Sequence, residues 1–252
     1  MPLEKVVHLY SPRSKIAELR SRSNLTSLEA KALRFVDLLV DSAHILQSKI
    51  GISGSLLVDL ASPFSDLDIV IYGTKNARKV DCAMKKFFED TKWFKKYPEQ
   101  WLKTRYEDRC RESEVSFEDY AFHEQRKSFE GFFDGTEFFI RYVKDRYEYE
   151  DVYGEKVYTS MGRAKISGIV NDDSNALFTP SFYGISDVEI IEGFTASPIS
   201  GIASFRGRFC QQALTGERVV ASGKVEQVLY HNKTNHRLLV GNCPTDFMVT
   251  VR

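Results

Sequence analysis

The sequence predicts a mixed domain of the α+β or α/β class over residues 1–158, followed by a small β-barrel-like domain over residues 159–252. Two observations support this prediction. Between Gly51 and Phe88, strand-like and helix-like segments alternate, which is typical of a mixed sheet with flanking helices. From Lys165 onward, short β-type runs recur between turn residues and helical periodicity is rare, which favours a small barrel.

Within the first domain, local signals predict two helices and a hairpin. The segment Thr26-Ser-Leu-Glu29 has the sequence of a capping box, in which the first and fourth residues bond each other's backbone N–H groups. Apolar residues follow with a period near 3.6, which predicts a helix of about five turns. Thr74 can cap a second helix, and the Asp134-Gly135 step predicts a β-hairpin that extends the sheet.

The stretch between these two helices carries residues suited to phosphate and metal chemistry. Ser53-Gly54-Ser55 predicts a turn at the start of a short helix, whose backbone N–H groups can hold phosphate. Asp66 and Asp68 open an apolar strand, so their side chains share one face, with Cα atoms roughly 6–7 Å apart. Such a pair can bind one or two divalent cations. The alternative is a capped strand start with solvated acids, although like charges beside a buried strand are costly without a cation.

Gly54-Ser55 and Ser65-Asp66-Leu67-Asp68, followed by apolar strand residues, resemble the signature of the DNA polymerase beta-like nucleotidyltransferase superfamily. The resemblance implies a nucleotidyltransferase-fold mixed sheet, catalytic and metal-binding roles for Asp66 and Asp68, and bound Mg²⁺ or Mn²⁺. It further implies that Gly54, Ser55 and Ser65 bind a nucleoside triphosphate. From Ser27 onward the chain also resembles an uncharacterised archaeal family of predicted nucleotidyltransferases. The matching segments are Arg126-Lys127, Gly135–Arg141, Ser204–Phe209 and Gly216-Glu217.

A third carboxylate is expected, because the superfamily places one on a strand beside the paired aspartates. Asp134 is already explained by its turn with Gly135, since Asp-Gly is common in turns. Glu137 lies inside an apolar and aromatic strand, and we predict it as the third catalytic and metal-binding residue, although Glu replaces the more usual Asp. The alternative is a plain ion pair between Glu137 and Arg141.

The same resemblance makes Arg126 and Lys127 candidates for binding the nucleotide and neutralising charge that develops during transfer. A function of another class stays open: a nucleic-acid-binding protein whose nucleotidyltransferase domain is weak or inactive. Basic and aromatic residues interleave over residues 92–111, which suits base stacking but is also typical of an ordinary amphipathic helix. Arg206 and Arg208 flank a glycine, as either a phosphate-contacting patch or a barrel corner.

Composition narrows the functional class. Lys plus Arg and Asp plus Glu number 35 each, so the net charge is zero and any nucleic-acid binding must come from a local patch. The four cysteines are far apart and the five histidines lack metal-ligand spacing, which indicates reduced thiols and no zinc site. Neither a signal peptide nor a membrane span is expected, so the predicted location is the cytoplasm. The nucleotide, the acceptor (an RNA, a protein or a small molecule) and the oligomeric state are not set by the sequence.

Overall fold

The structure is a computed structural model that describes residues 3–89, 92–149, 152–195 and 198–252. Within these ranges the chain forms six α-helices and eleven β-strands in two mixed sheets. It divides into two compact units, each made of two stretches of chain. The first unit comprises Met1–Lys96 and Ser128–Glu148, and the second comprises Tyr97–Lys127 and Tyr149–Arg252. None of the described helices is long and apolar enough to cross a membrane.

The first unit contains a five-stranded sheet and four helices. Its helices are α1 (Pro12–Ser21), α2 (Ser27–Ala43), α3 (Gly54–Leu57) and α4 (Thr74–Glu89), and its strands are β1 (Ile50–Ile52), β2 (Leu67–Tyr72), β3 (Phe94–Lys95), β4 (Glu130–Phe133) and β5 (Thr136–Val143). The strand order is β1-β2-β5-β4-β3. Strand β2 runs parallel to β5, and the other pairs are antiparallel. Strands β2 and β5, the two central strands of this sheet, therefore run side by side in the same direction.

The sequence signals for α2 and for the hairpin are confirmed. The Thr26 hydroxyl accepts from the N–H of Glu29, and the Glu29 carboxylate accepts from the N–H of Thr26 at 2.7 Å. Strands β4 and β5 pair on either side of Asp134 and Gly135, which both have positive φ. Such φ values are what a two-residue hairpin turn requires.

One face of this sheet is the core of the first unit. Alternate residues of the two central strands are almost fully buried: Leu67, Ile69, Ile71, Phe138, Ile140 and Tyr142. Phe35 of α2 extends this core, with its ring centroid 4.8 Å from that of Phe133 and 5.0 Å from that of Phe138. Because side chains alternate along a strand, the residues between these core positions must lie on the opposite face.

The second unit is built mainly from long strands. Its helices are α5 (Glu99–Cys110) and α6 (Phe117–Arg126), and its strands are β6 (Val157–Asp172), β7 (Ser181–Gly193), β8 (Ile199–Ser204), β9 (Arg218–Tyr230), β10 (Lys233–Leu239) and β11 (Phe247–Thr250). The pairing runs β6 to β7 to β8 to β10 to β9 and returns to β6. Only the β8–β10 pair of this ring is parallel, and β11 pairs with β9 outside the ring. Ile166, Ile202 and Leu238, which have no exposed surface, lie at its centre.

The observed units differ from the predicted division at residue 158 in two respects, the smaller being that the last stretch of the second unit already begins at Tyr149. Residues 97–127, which the sequence analysis assigned to the first domain, are grouped with the β-rich unit. The physical reason is the packing of α6, which lies against β11. His123 of α6 is 1% exposed, and its Nε2 accepts the backbone N–H of Thr250 at 3.2 Å.

The surroundings of His123 keep its imidazole neutral. Burial, together with the charges of Lys127 and Arg126, lowers the pKa of His123 to about 4. Its Nδ1 is buried as well. The pKa of this histidine is higher in the unfolded chain than in the folded chain, so the unfolded chain binds the proton more tightly. Protonation therefore lowers the unfolding free energy below about pH 6.5, and this loss is absent above that pH.

We therefore expect the wild-type chain to lose about 3 kcal/mol of unfolding free energy through this one group as pH falls from about 6.5 to about 4. His123→Gln keeps an acceptor near the Nε2 position but cannot be protonated, so its urea-unfolding free energy should fall less steeply over that range. His8→Gln, at an exposed histidine, is the control and should follow the wild type. Equal pH slopes for all three proteins would contradict this account of His123.

Candidate functional site

The face of the first sheet opposite its core carries a row of polar residues. In the strand register Asp68 of β2 is opposite Phe139 of β5, and Phe139 is opposite Glu130 of β4. Residues directly opposite one another point to the same side of a sheet, so Asp68 and Glu130 share this face. Neighbouring strands lie about 4.8 Å apart, so the Cα atoms of these two residues are about 10 Å apart across the row.

The other predicted acids lie one step away on the same face. Asp66 precedes the first residue of β2 and is exposed, whereas Asp68 is half-buried. Because Leu67 is opposite Phe138, continuing the register by one residue brings Asp66 level with the half-buried Glu137. No group of three or more His, Cys, Asp or Glu side chains lies within metal-holding range anywhere in the described ranges. The strand register thus places Asp68 and Glu137 on one face, with Asp66 directly before β2, and does not gather the three into a closed cluster.

Asp68 is the electrostatically perturbed member of this group. Burial, together with the negative charge of Asp66, raises the pKa of Asp68 to about 6, even though the positive charge of Arg141 lowers it. In the part of the chain that the structure describes, no cation forms an ion pair with the Asp68 carboxylate. A half-buried carboxylate next to a second one gains more from a bound cation than a solvated carboxylate does.

Gly54 brings the turn after β1 directly against Asp68. The backbone N–H of Ser53 donates to the carbonyl oxygen of Asp68 at 2.8 Å. Gly54 has φ +59°, and a Cβ there would overlap the Asp68 carboxylate, lying 2.8 Å from its Cγ. Glycine is therefore required at residue 54 twice, for its left-handed backbone and for the space it leaves. Helix α3 has only four residues, so its dipole is small. The feature of this turn that matters for the site is the close approach of its backbone to Asp68.

The two predicted serines differ in what their hydroxyls do. Ser55 Oγ is buried and has no hydrogen-bond partner within the described residues. Ser65 Oγ instead accepts the backbone N–H of Ser62 at 3.0 Å, which stabilises the loop that delivers Asp66. Ser55 is thus the serine with a hydroxyl left for a ligand, whereas Ser65 already has a structural partner.

Arg126 and Lys127 lie in the second unit, whereas the aspartates lie in the first. Arg126 makes a forked contact to the Glu217 carboxylate, with distances of 2.9 and 3.0 Å. Lys127 has no exposed surface, pairs with the buried Glu124 and donates to the carbonyl oxygen of Arg208 at 2.7 Å. Both cations therefore hold the second unit together, and their predicted contact with a nucleotide stays a prediction.

Arg141 and Glu130 belong to this face but were not among the predicted site residues. Arg141 was considered only as an ion-pair partner for Glu137, yet its charge acts on Asp68, because Arg141 is opposite Val70 in the register. Glu130 is 4% exposed and lies four residues before the Asp134-Gly135 turn. Counting back from that turn would have paired Glu130 with Phe139, and this was the signal available in the sequence.

The chain is similar to a protein of Methanocaldococcus jannaschii that is described as uncharacterized. The two are 33% identical over 213 residues, which is 84% of this chain. The chain spans 60% of the length of that relative. No protein-family model matches the chain, and no solved structure matches it. The similarity therefore covers most of the chain and brings no assigned activity with it.

The double requirement for glycine at residue 54 can be tested by substitution. Gly54→Ala should lower the unfolding free energy by about 2–3 kcal/mol, because left-handed strain adds to the overlap with Asp68. Gly135→Ala is the matched control, since Gly135 also has positive φ but has open space around it. It should cost only about 1 kcal/mol in urea unfolding. Equal losses for the two variants would contradict a close contact at Gly54.

The raised pKa of Asp68 gives a second prediction. An acid with a higher pKa in the folded chain opposes folding once it ionises, so this cost is absent below about pH 4 and complete above about pH 6. At pH 7.5 with chelator, Asp68→Asn should be more stable than the wild type by about 1 kcal/mol, allowing for solvent screening. The difference should shrink toward zero near pH 4 in urea unfolding. Asp41→Asn, at an exposed residue of α2, should show no such pH-dependent gain.

Proposed function

We propose that the first unit is a nucleotidyltransferase site, which transfers a nucleoside monophosphate from a nucleoside triphosphate to an acceptor hydroxyl. The observation that carries this proposal is the contact of the Gly54 turn with Asp68, next to Asp66 on the polar face of the sheet. A turn with accessible backbone and a pair of carboxylates are the two parts that this chemistry needs, one for phosphate and one for a divalent cation.

The residues on this face fit a hard divalent cation such as Mg²⁺ or Mn²⁺. The donors are carboxylate oxygens, which these ions prefer. A bound cation would also give the Asp68 carboxylate a positive partner, because no described residue forms an ion pair with it. Asp66 and Asp68 would hold the ion, with Glu137 level with Asp66 on the neighbouring strand. When bound, such an ion neutralises phosphate oxygens and makes the acceptor hydroxyl easier to deprotonate.

The chain's own groups bind and orient the triphosphate. Gly54 has no side chain, so the backbone of the turn can approach a phosphate closely. The buried Ser55 hydroxyl can donate one hydrogen bond to a phosphate oxygen. Arg141 adds positive charge on the same face. In the transfer, the acceptor oxygen attacks the α-phosphorus, the bond from that phosphorus to the bridging oxygen breaks, and pyrophosphate leaves.

The finer architecture is part of the same proposal. The antiparallel β1–β2 pair, with the turn between them and the parallel β2–β5 pair beside it, supports a nucleotidyltransferase-type sheet. In the second unit the ring of pairings from β6 back to β6 supports a small closed barrel. A barrel of this kind can position an acceptor or bind a nucleic acid, and the acceptor itself stays open.

Substitution of the paired aspartates tests the proposal. Asp66→Asn and Asp68→Asn keep side-chain shape but remove charge, so each should weaken binding of a Mg²⁺–nucleoside triphosphate complex by at least about 100-fold. The measurement is isothermal titration calorimetry with each of the four ribonucleoside triphosphates in turn. Transfer is read by incubating the wild type with labelled triphosphate, Mg²⁺ or Mn²⁺ and a total RNA extract.

Asp41→Asn is the matched control for that experiment, because it removes one carboxylate from the first unit away from the site. It should bind like the wild type, and all the variants should show cooperative unfolding. Equal affinity of wild type, Asp66→Asn and Asp68→Asn for the metal–nucleotide complex would overturn the proposal.

A comparison of Glu137 with Glu130 tests which of them is the third metal-binding carboxylate. Glu137 is on the strand next to Asp66, whereas Glu130 is two strands from Asp68, so Glu137 is the nearer candidate for a shared ion. Glu137→Gln should therefore weaken Mg²⁺-dependent nucleotide binding by at least about tenfold, and Glu130→Gln should leave it unchanged in the same calorimetric titration. The reverse outcome would assign the third position to Glu130.

A further inference from the structure

A basic groove lies at one end of the second unit. Strands β8 and β10 are parallel, so the loops that follow them leave the sheet at the same edge. Together with the end of α5, these loops enclose an open groove of about 360 Å³. Its charged lining residues are Asp108, Arg109, Arg206 and Arg208, and Gly241 lies among them. Three arginines and one aspartate leave this groove with a net positive charge.

Two of these arginines are held by backbone carbonyls, and neither is paired with a carboxylate among the described residues. Arg206 Nε donates to the carbonyl oxygen of Gly241 at 3.2 Å. Arg208 Nη1 donates to the carbonyl oxygen of Arg109 at 3.0 Å. Arg109 differs from them, since its Nη1 lies 3.7 Å from the buried carboxylate of Glu124. Arg206 and Arg208 are thus oriented by neutral partners, and most of their N–H donors remain for an anion.

The electrostatics of Arg208 show that this arrangement has a cost. Burial lowers the pKa of its guanidinium, and the charges of Arg109 and Arg206 lower it further. Like charges held close together destabilise a fold unless an anion offsets them. Guanidinium groups match phosphate oxygens in geometry, which makes phosphate the anion that this groove fits.

The surroundings favour a phosphate that belongs to a chain. The groove is open to solvent, so a polymer can enter and leave it. Phe205, directly before Arg206 in the chain but outside the groove lining, is 54% exposed, so its ring is available for stacking on a base beside the groove. The whole chain has no net charge, so a local basic groove is the form that nucleic-acid binding must take here.

We propose that this groove binds the phosphodiester backbone of a single-stranded nucleic acid, with Arg206 and Arg208 on phosphates and Phe205 on a base. The site lies within the second unit and does not depend on the nucleotidyltransferase proposal. It uses residues that the first unit does not supply, so each proposal can fail without the other.

Fluorescence anisotropy with a labelled 20-residue oligouridylate tests this, using the full chain over a series of salt concentrations. Wild type should bind with an affinity that falls as salt rises. Arg206→Gln should bind at least about threefold more weakly near 0.1 M salt, and its log–log salt slope should decrease by about 0.7, because one phosphate is no longer neutralised. Phe205→Ala should weaken binding without changing the slope, since stacking releases no counterions.

Three controls make the result specific. Arg218→Gln removes an exposed arginine of the same unit outside the groove and should bind like the wild type. The Asp66→Asn, Asp68→Asn double variant should also bind like the wild type, which separates this site from the proposed catalytic one. Arg206→Lys should restore much of the affinity if charge on a phosphate is what matters.

Several outcomes would overturn the proposal. One is failure of the wild type to bind the oligonucleotide at 50 mM salt. Another is equal affinity and equal salt slope for the wild type and Arg206→Gln. Displacement of the oligonucleotide by inorganic phosphate or AMP at equal concentration would show a small-anion site instead. Stronger, Arg206-dependent binding to vesicles containing anionic lipid would reassign the groove to a membrane surface.

Discussion

Parallel strand pairing is the constraint on which the functional surface of each unit depends. Among the described strands, each unit has one parallel pair: β2 with β5 in the first and β8 with β10 in the second. A parallel pair brings the same ends of two strands to one edge of a sheet, although the strands are far apart in sequence. In the first unit this sets Asp66 beside Glu137, and in the second it sets Arg206 beside Gly241. Antiparallel hairpins alone would not have produced either juxtaposition.

The two surfaces use the same physical device with opposite sign. On the polar face of the first sheet, carboxylates lie close together and burial disfavours the charge of Asp68. In the groove of the second unit, guanidinium groups lie close together and burial disfavours the charge of Arg208. Each arrangement costs stability while it is empty, and each is relieved by a ligand of opposite charge. If the proposed ligands bind, stability and binding are coupled at both places, and unfolding measurements then report on binding.

Local signals in the sequence were enough to predict the capping box of α2 and the Asp134-Gly135 turn, because each depends on residues within a few positions of one another. The shared face of Asp66 and Asp68 was predictable for the same reason. The hairpin turn alone pairs Glu130 with Phe139, but its position two strands from Asp68 depends on the register of β5 against β2, which no local signal gives. The assignment of residues 97–127 to the second unit also escaped prediction, since an amphipathic helix does not reveal which sheet will cover its apolar side. The basic groove required knowledge that β8 and β10 are neighbours, which no short pattern contains.

Each unit is formed from two separate stretches of chain, which affects the order in which the units can fold during synthesis. Helices α5 and α6 leave the ribosome early, but β11, against which α6 packs, is synthesised about 120 residues later. At typical rates of synthesis the helices wait on the order of ten seconds for their partner. During that interval His123 is accessible to water, and the first unit can complete its sheet with β4 and β5. The order of synthesis thus favours folding of the first unit before the second, although residues 97–127 of the second unit lie between its two stretches of chain.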